Sequence, residues 1–193
     1  MKKLFTCALV TLFIHASSQA NVVYEWQGNE DAMPYNISLR MEFTDAAVAA
    51  GSLQMRAGEY QLLPDSGLVS FYYKFPGPAM PVSYAPRDHA LRAGDWFDMN
   101  LVFEDDMTLS GSFKAIGIES HIFMDSAGSL FTVTNANSDA GMIGAGCAPW
   151  TACGGATGVF RQVPEPGSMA LMGLGLLGLA RRVRAKRSKA TTL

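Results

Sequence analysis

Charge, cysteine and histidine are all scarce in this chain. Only 17% of its 193 residues are charged while 49% are hydrophobic, which is too apolar a balance for a disordered chain. Three cysteines and three histidines are too few for a disulfide-rich scaffold or a structural zinc cluster. No nucleophile elbow, zincin helix, phosphate loop or dinucleotide fingerprint occurs, so the common motif-bearing enzyme classes have no foothold. No repeat of fixed period is present, which disfavours propellers and solenoids. The apolar runs near the two ends fall short of the roughly 20 residues that a membrane-crossing helix needs.

The charge that is present is unevenly placed. The net −2 conceals +2 from Lys2 and Lys3, −9 over residues 21–163 and +5 over residues 164–193. An acidic middle lacks the basic face that phosphate neutralisation requires, so nucleic acid is not an expected partner. The two basic ends and the acidic middle are different objects.

Residues 1–20 have the build of a cleavable secretory signal. Met1-Lys2-Lys3 is the charged start, residues 4–14 are a short apolar run, and Ser18 and Ala20 are small residues at −3 and −1 of a cut before Asn21. Signal peptidase and the secretion machinery are therefore expected partners, and Cys7 leaves with the signal.

The last segment, 163–193, stacks three physical functions. The box 163–166 reads Val163-Pro164-Glu165-Pro166, and its two prolines fix φ and disfavour helix before them, giving an extended, exposed strand suited to an enzyme cleft. An apolar helix is expected over 167–180, carrying Met169, Leu171, Leu174, Leu176, Leu177 and Leu179. The basic tail 181–193 begins with Arg181, Arg182 and Arg184, which stay on the cytoplasmic side. At 1.5 Å per residue the run 169–180 spans about 18 Å against about 30 Å of hydrocarbon, so a weak stop-transfer anchor is expected in place of a permanent span.

In order, spacing and end position these residues resemble the PEP-CTERM sorting signal of Gram-negative bacteria. The resemblance covers about 30 residues, and it implies recognition by exosortase, a membrane-embedded cysteine transpeptidase-like enzyme that processes its substrates near the proline-glutamate-proline box. Carried over, Pro164, Glu165 and Pro166 are the recognised box, 169–180 the transient inner-membrane helix, and Arg181, Arg182 and Arg184 the retention cluster. The implied route is export, anchoring in the inner membrane, then delivery to the cell envelope or extracellular matrix, with exopolysaccharide as a candidate partner. The tail reveals nothing about residues 21–162, because ectodomains that carry it are highly diverse.

That middle alternates. Val22, Tyr24 and Trp26 interleave with Val23, Glu25 and Gln27; Ile37, Leu39, Met41 and Phe43 with Ser38, Arg40, Glu42 and Thr44; Phe97, Met99, Leu101 and Phe103 with Asp98, Asn100, Val102 and Glu104. A period of two over such lengths means half-buried antiparallel strands. Further strands are expected over 51–57, 68–75, 108–117, 119–124, 130–134 and 158–163, with a meander over 97–134, one helical turn near 44–50 and an irregular proline-rich loop over 76–87. Eight or nine strands, each with one apolar face, bury those faces by stacking two sheets or closing a barrel. The expected fold is all-β, an antiparallel β-sandwich, with a β-barrel as the alternative.

Few residues offer chemistry. Cys147 and Cys153 lie close together in an exported chain and point to a disulfide worth roughly 2 kcal/mol on the chain-entropy model. Residues 135–141 place oxygens at alternate positions, but the glycine falls at the seventh and no carboxylate follows at the twelfth, so a polar loop is expected and no metal. The same holds for Glu104, Asp105 and Asp106. His89 or His121 with a distant serine and carboxylate would make a hydrolase, and two of Glu25, Glu42 and Glu59 a glycosidase. A strand-face carboxylate is usually solvated, however, and no enzyme or cofactor is expected. Tyr24 and Trp26, and Phe71, Tyr73 and Phe75, read as core, leaving Tyr72, Tyr84, Trp96 and Trp150 as candidates for exposure. The expectation is an exported structural or adhesive β-domain, with a carbohydrate-binding module and an exported hydrolase as alternatives.

Overall fold

The computed structural model describes residues 21–29, 32–61, 67–76, 81–84, 94–117, 120–138 and 153–164. The chain divides into two compact units, Met1–Gln162 and Val163–Leu193. Among the described residues there are ten strands, the last ending one residue past the boundary: β1 (Asn21–Asn29), β2 (Ser38–Thr44), β3 (Ser52–Ala57), β4 (Leu68–Lys74), β5 (Val82–Tyr84), β6 (Trp96–Phe103), β7 (Leu109–Gly117), β8 (Ser120–Ala127), β9 (Leu130–Ser138) and β10 (Thr157–Val163). One short helix, α1 (Asp45–Ala49), follows β2. The Thr44 side chain caps it by accepting from the Ala47 amide at 3.3 Å, and Gly51, at a φ of 79°, turns the chain into β3.

All ten strands belong to one sheet, in the order β3-β6-β7-β8-β9-β10-β1-β2-β4-β5. The expected sandwich is therefore corrected to an open, curled antiparallel sheet, a half-barrel. The physical reason is β10, which neighbours β9 on one side and β1 on the other and so joins what would have been two sheets. Curling then lets the inner faces meet each other. Phe71 on β4 lies 5.7 Å from Phe97 on β6 and 5.2 Å from Phe113 on β7, and Tyr84 on β5 lies 5.1 Å from Phe97, ring centre to ring centre. Strands from opposite ends of the sheet order thus face one another across a single core.

The alternation read from the sequence is the burial pattern. Leu39, Met41 and Phe43, and Phe97, Met99, Leu101 and Phe103, are buried, while Arg40, Asn100 and Val102 are exposed. Each large apolar side chain so buried contributes roughly 1.5–3 kcal/mol. Three local expectations change. Val82–Tyr84 forms β5 inside the expected irregular loop, at the sheet edge where neighbouring prolines remove no ladder bond. The hairpin between β8 and β9 turns on Gly128 and Ser129, with Ala127 opposite Leu130, so Asp125, Ser126 and Ala127 are strand residues. Asn135 to Asn137 continue β9 opposite β8 and do not form a polar loop.

The last strand is paired unlike the others. β10 registers with β9 only at Thr157 and Gly158. Farther along, Arg161 bridges Thr108, and the Gln162 amide donates to the Met107 carbonyl at 3.0 Å. The interior contents match this path, since Phe160 packs against Phe131 at 5.3 Å and Phe113 at 6.0 Å.

Candidate functional site

Two places on the domain bear on function, and they lie at opposite ends of β10. At its C-terminal end Val163 is half-buried and Pro164 exposed, so the box begins one step beyond the bridge to Met107 and Thr108. The turn bonded to Arg161 and Gln162, residues 104–108, is held by its own side chains. Asp106 accepts from the Thr108 amide and hydroxyl at 3.2 and 2.5 Å, and Ser110 donates to Glu104. Both carboxylates thus accept hydrogen bonds within the turn. Glu165, Pro166, Met169, Leu171, Leu174, Leu176, Leu177, Leu179, Arg181, Arg182 and Arg184 lie outside the described residues, as do the signal residues 1–20. Among the described residues no helix is long and apolar enough to cross a membrane.

Beside the other end of β10 lies a groove of about 340 Å³. Trp26, Asn29, Asn36 and Ser38 line it with Pro34 and Ile37. Two glycines shape it. A Cβ on Gly28 would come within 2.5 Å of the indole nitrogen of Trp26, and one on Gly158 within 2.6 Å of the ring's benzo edge. The indole therefore lies across ground that two side chains would otherwise fill, with Phe160 5.2 Å away at a tilt behind it. The alternation in β1 identified Trp26 only as core. The signal for a groove was Gly28 two residues on, on the same strand face, but its counterpart Gly158 is remote in sequence.

The remaining candidates do not converge. Cys153 is disulfide-bonded, while Cys147, His89 and Trp150 lie outside the described residues. His121 hydrogen-bonds Asn135 at 2.9 Å and packs on Phe123. Glu42 accepts from Asn21 at 2.8 Å and Ser70 at 3.3 Å with Arg40 at 3.8 Å, whereas Glu25 is exposed on β1 and Glu59 in the turn after β3. Among the described residues no group of three or more His, Cys, Asp or Glu side chains converges on a common point.

Of the aromatic candidates for exposure, Tyr84 is a correction: it is buried, because β5 folds its ring onto Phe71 and Phe97. Tyr72 is half-buried, and so is Trp96, whose ring carries the Arg56 guanidinium at 5.2 Å. Tyr73, also interior, donates to the Ser120 carbonyl at 3.0 Å and lies 2.9 Å from its hydroxyl. Burial pushes the phenols of both Tyr73 and Tyr84 well above their ordinary range; the neighbouring Tyr73 adds to the shift at Tyr84, and Asp95 adds a smaller part to both.

Residues 162–185 match the family model of a C-terminal protein-sorting motif, PEP-CTERM. The motif indicates export, membrane anchoring and processing by an exosortase, a membrane protease, on the way to the cell surface. No curated protein matches the chain, and no solved structure does.

Proposed function

We propose that this chain, which carries the PEP-CTERM sorting motif at its C-terminus, is a non-catalytic structural or adhesive protein of a Gram-negative cell envelope or exopolysaccharide matrix. Signal peptidase removes residues 1–20. The helix 167–180 then holds the protein transiently in the inner membrane with Arg181, Arg182 and Arg184 inside, and exosortase processes it at the box 163–166. The carrying observation is the position of the motif. It starts at residue 162, inside the last two residues of β10, so Pro164, Glu165 and Pro166 come immediately after the final strand of the β-domain in sequence. Cys147 and Cys153 are bridged on this reading, fixing the segment that leads into β10. The hydrolase alternative gains no support from His121, whose ring nitrogen faces an amide and no carboxylate. Carbohydrate binding is favoured as a second reading by the groove at Trp26.

The test is made in matched hosts with and without an exosortase, by fractionation and mass spectrometry of the mature C-terminus. Pro164→Ala with Pro166→Ala lets the box join the following helix, so uncut precursor should accumulate in the membrane. Replacing Arg181, Arg182 and Arg184 with Asn weakens the positive-inside stop, so uncut protein should slip into the periplasm. Wild-type processing and location in both variants would refute the sorting role of this tail.

A further inference from the structure

The two edges of the sheet are finished differently. At one edge β5 has three residues between Pro81 and Pro86, the short, proline-flanked form by which open sheets keep other strands from pairing with them. At the other edge β3 has six residues, Ser52-Leu53-Gln54-Met55-Arg56-Ala57, and no proline. The phase of its ladder decides what it presents to the outside. The Phe103 amide donates to the Gly51 carbonyl at 3.0 Å, and the register sets Leu53 opposite Leu101, Met55 opposite Met99 and Ala57 opposite Phe97. Backbone bonds in an antiparallel pair recur at every second residue, so these are the residues of β3 bonded to β6. The N–H and C=O groups of Ser52, Gln54 and Arg56 therefore point away from β6, where they meet no partner among the described residues. All three residues are exposed.

An extended strand can complete such an edge, and the side chains beside it select which strand. A contact between two copies related by a two-fold axis sets each axial group against itself, so it suits groups that both donate and accept and it penalises charge near the axis. Centred on Gln54, an antiparallel pair of β3 strands places the two Gln54 residues opposite each other and Ser52 of each copy opposite Arg56 of the other. All three outward peptide units then pair, for about six hydrogen bonds. Asn100 stands opposite Gln54 on β6 and is exposed on the same outer face, so a row of four carboxamides, two from each copy, crosses the axis. Charge is kept away from it. The Arg56 guanidinium lies 5.2 Å over the Trp96 ring, with Asp98 opposite it on β6. In this register the two arginines are offset by about 14 Å along the strands, beyond the Debye length of about 10 Å at 0.1 M salt.

We infer that β3 is a self-association edge, which pairs antiparallel with β3 of a second copy about a two-fold axis at Gln54 and joins two sheets into one. The contact is small, so each pairing is weak and gains occupancy where copies are crowded together. This association goes beyond the sorting role and does not depend on it.

The mature protein recovered from exosortase-bearing cells is taken through sedimentation equilibrium from about 10 μM to about 1 mM, the range in which so small a contact is populated. Its mass should rise from one copy toward two. Gln54→Pro removes the donor on the axis without touching a bond between β3 and β6, so it should keep the fold by circular dichroism and remain monomeric. Gln54→Lys sets two ammonium groups against each other and should do the same. Register is read with single added cysteines and a short thiol-bridging reagent, against wild type as background. Gln54→Cys should link to itself, and Asn100→Cys should not. Ser52→Cys mixed with Arg56→Cys should link at least about tenfold faster than either alone. A constant monomer mass up to about 1 mM, undiminished association in the folded Gln54 variants, or cross-linking that ignores this register would overturn the inference. Where Gln54→Pro fails to fold, Gln54→Lys decides. The same cross-linking reads the unprocessed full chain in detergent, so a failure of processing leaves the test intact.

Discussion

Two buried tyrosines at the core's edge should respond oppositely to loss of one oxygen. The Tyr73 hydroxyl donates to the Ser120 carbonyl at 3.0 Å and sits 2.9 Å from the Ser120 hydroxyl, whereas the Tyr84 hydroxyl is buried beside Tyr73 and makes no well-formed hydrogen bond among the described residues. Tyr73→Phe leaves the shape of the core intact but strands buried Ser120, at a cost of about 1–3 kcal/mol. Tyr84→Phe removes a hydroxyl that has already lost its water, so its effect should lie between neutral and about 1 kcal/mol stabilising. Urea unfolding of the mature protein at pH 7 reads both as shifts of midpoint with the slope unchanged. The same pair sets an alkaline limit. Burial raises both phenols above their unfolded value near 10. The folded state thus keeps its protons where the unfolded state loses them, and the stability is fully present below about pH 10 and is lost as pH rises above it. Each such tyrosine contributes a fall of about 1.4 kcal/mol per pH unit in that range, and either substitution should remove one share. Equal destabilisation by the two variants, or an unchanged alkaline slope in Tyr84→Phe, would refute this reasoning.

Gly111 sits in β7 at a φ of 119°, its amide donating to the Ser126 hydroxyl at 2.6 Å and its missing Cβ facing the Asn100 carbonyl. Gly111→Ala should therefore cost at least about 2 kcal/mol in a denaturant titration, against about 1 kcal/mol for Gly128→Ala in the open hairpin turn. Phe160→Ala empties a site walled by Trp26, Phe113 and Phe131 and should cost about 3–5 kcal/mol, while Phe123→Ala on the outer face should cost about 1 kcal/mol or less. Cys147→Ser should lower the melting temperature without abolishing the fold, and non-reducing peptide mapping should find Cys147 joined to Cys153 in the exported wild type.

The strands were legible because one-sided burial imposes the alternation seen at Leu39-Arg40-Met41-Glu42-Phe43, and nothing else in an exported chain demands it. Whether they form one sheet or two was not. Alternation reports which face of a strand is covered, and it is silent about where a hydrogen-bond ladder stops. Here the deciding element is β10, which neighbours both β9 and β1. β5 was hidden by Pro81 and Pro86, whose breaking effect is weak on an edge. At Asn135-Ala136-Asn137 polarity suggested a loop, yet Ala136 alone is buried there, an alternation written with a small residue. The sorting segment was read from its local order of box, apolar run and cations. The groove was not, because Gly28 and Gly158 act on Trp26 together from strands far apart in the chain.

The course of β10 also has a mechanical consequence. A domain tethered through its C-terminus feels load along this strand, and the bonds nearest the load are Gln162 to Met107 and the Arg161–Thr108 bridge. These lie across the direction of pull and are strained by sliding, so they resist together instead of opening one after another. Behind them Phe160 acts as a peg, wedged among Trp26, Phe113 and Phe131, that must be dragged through the core before the strand can slip. The residue that backs the indole is thus also the one that would hold the domain closed under tension.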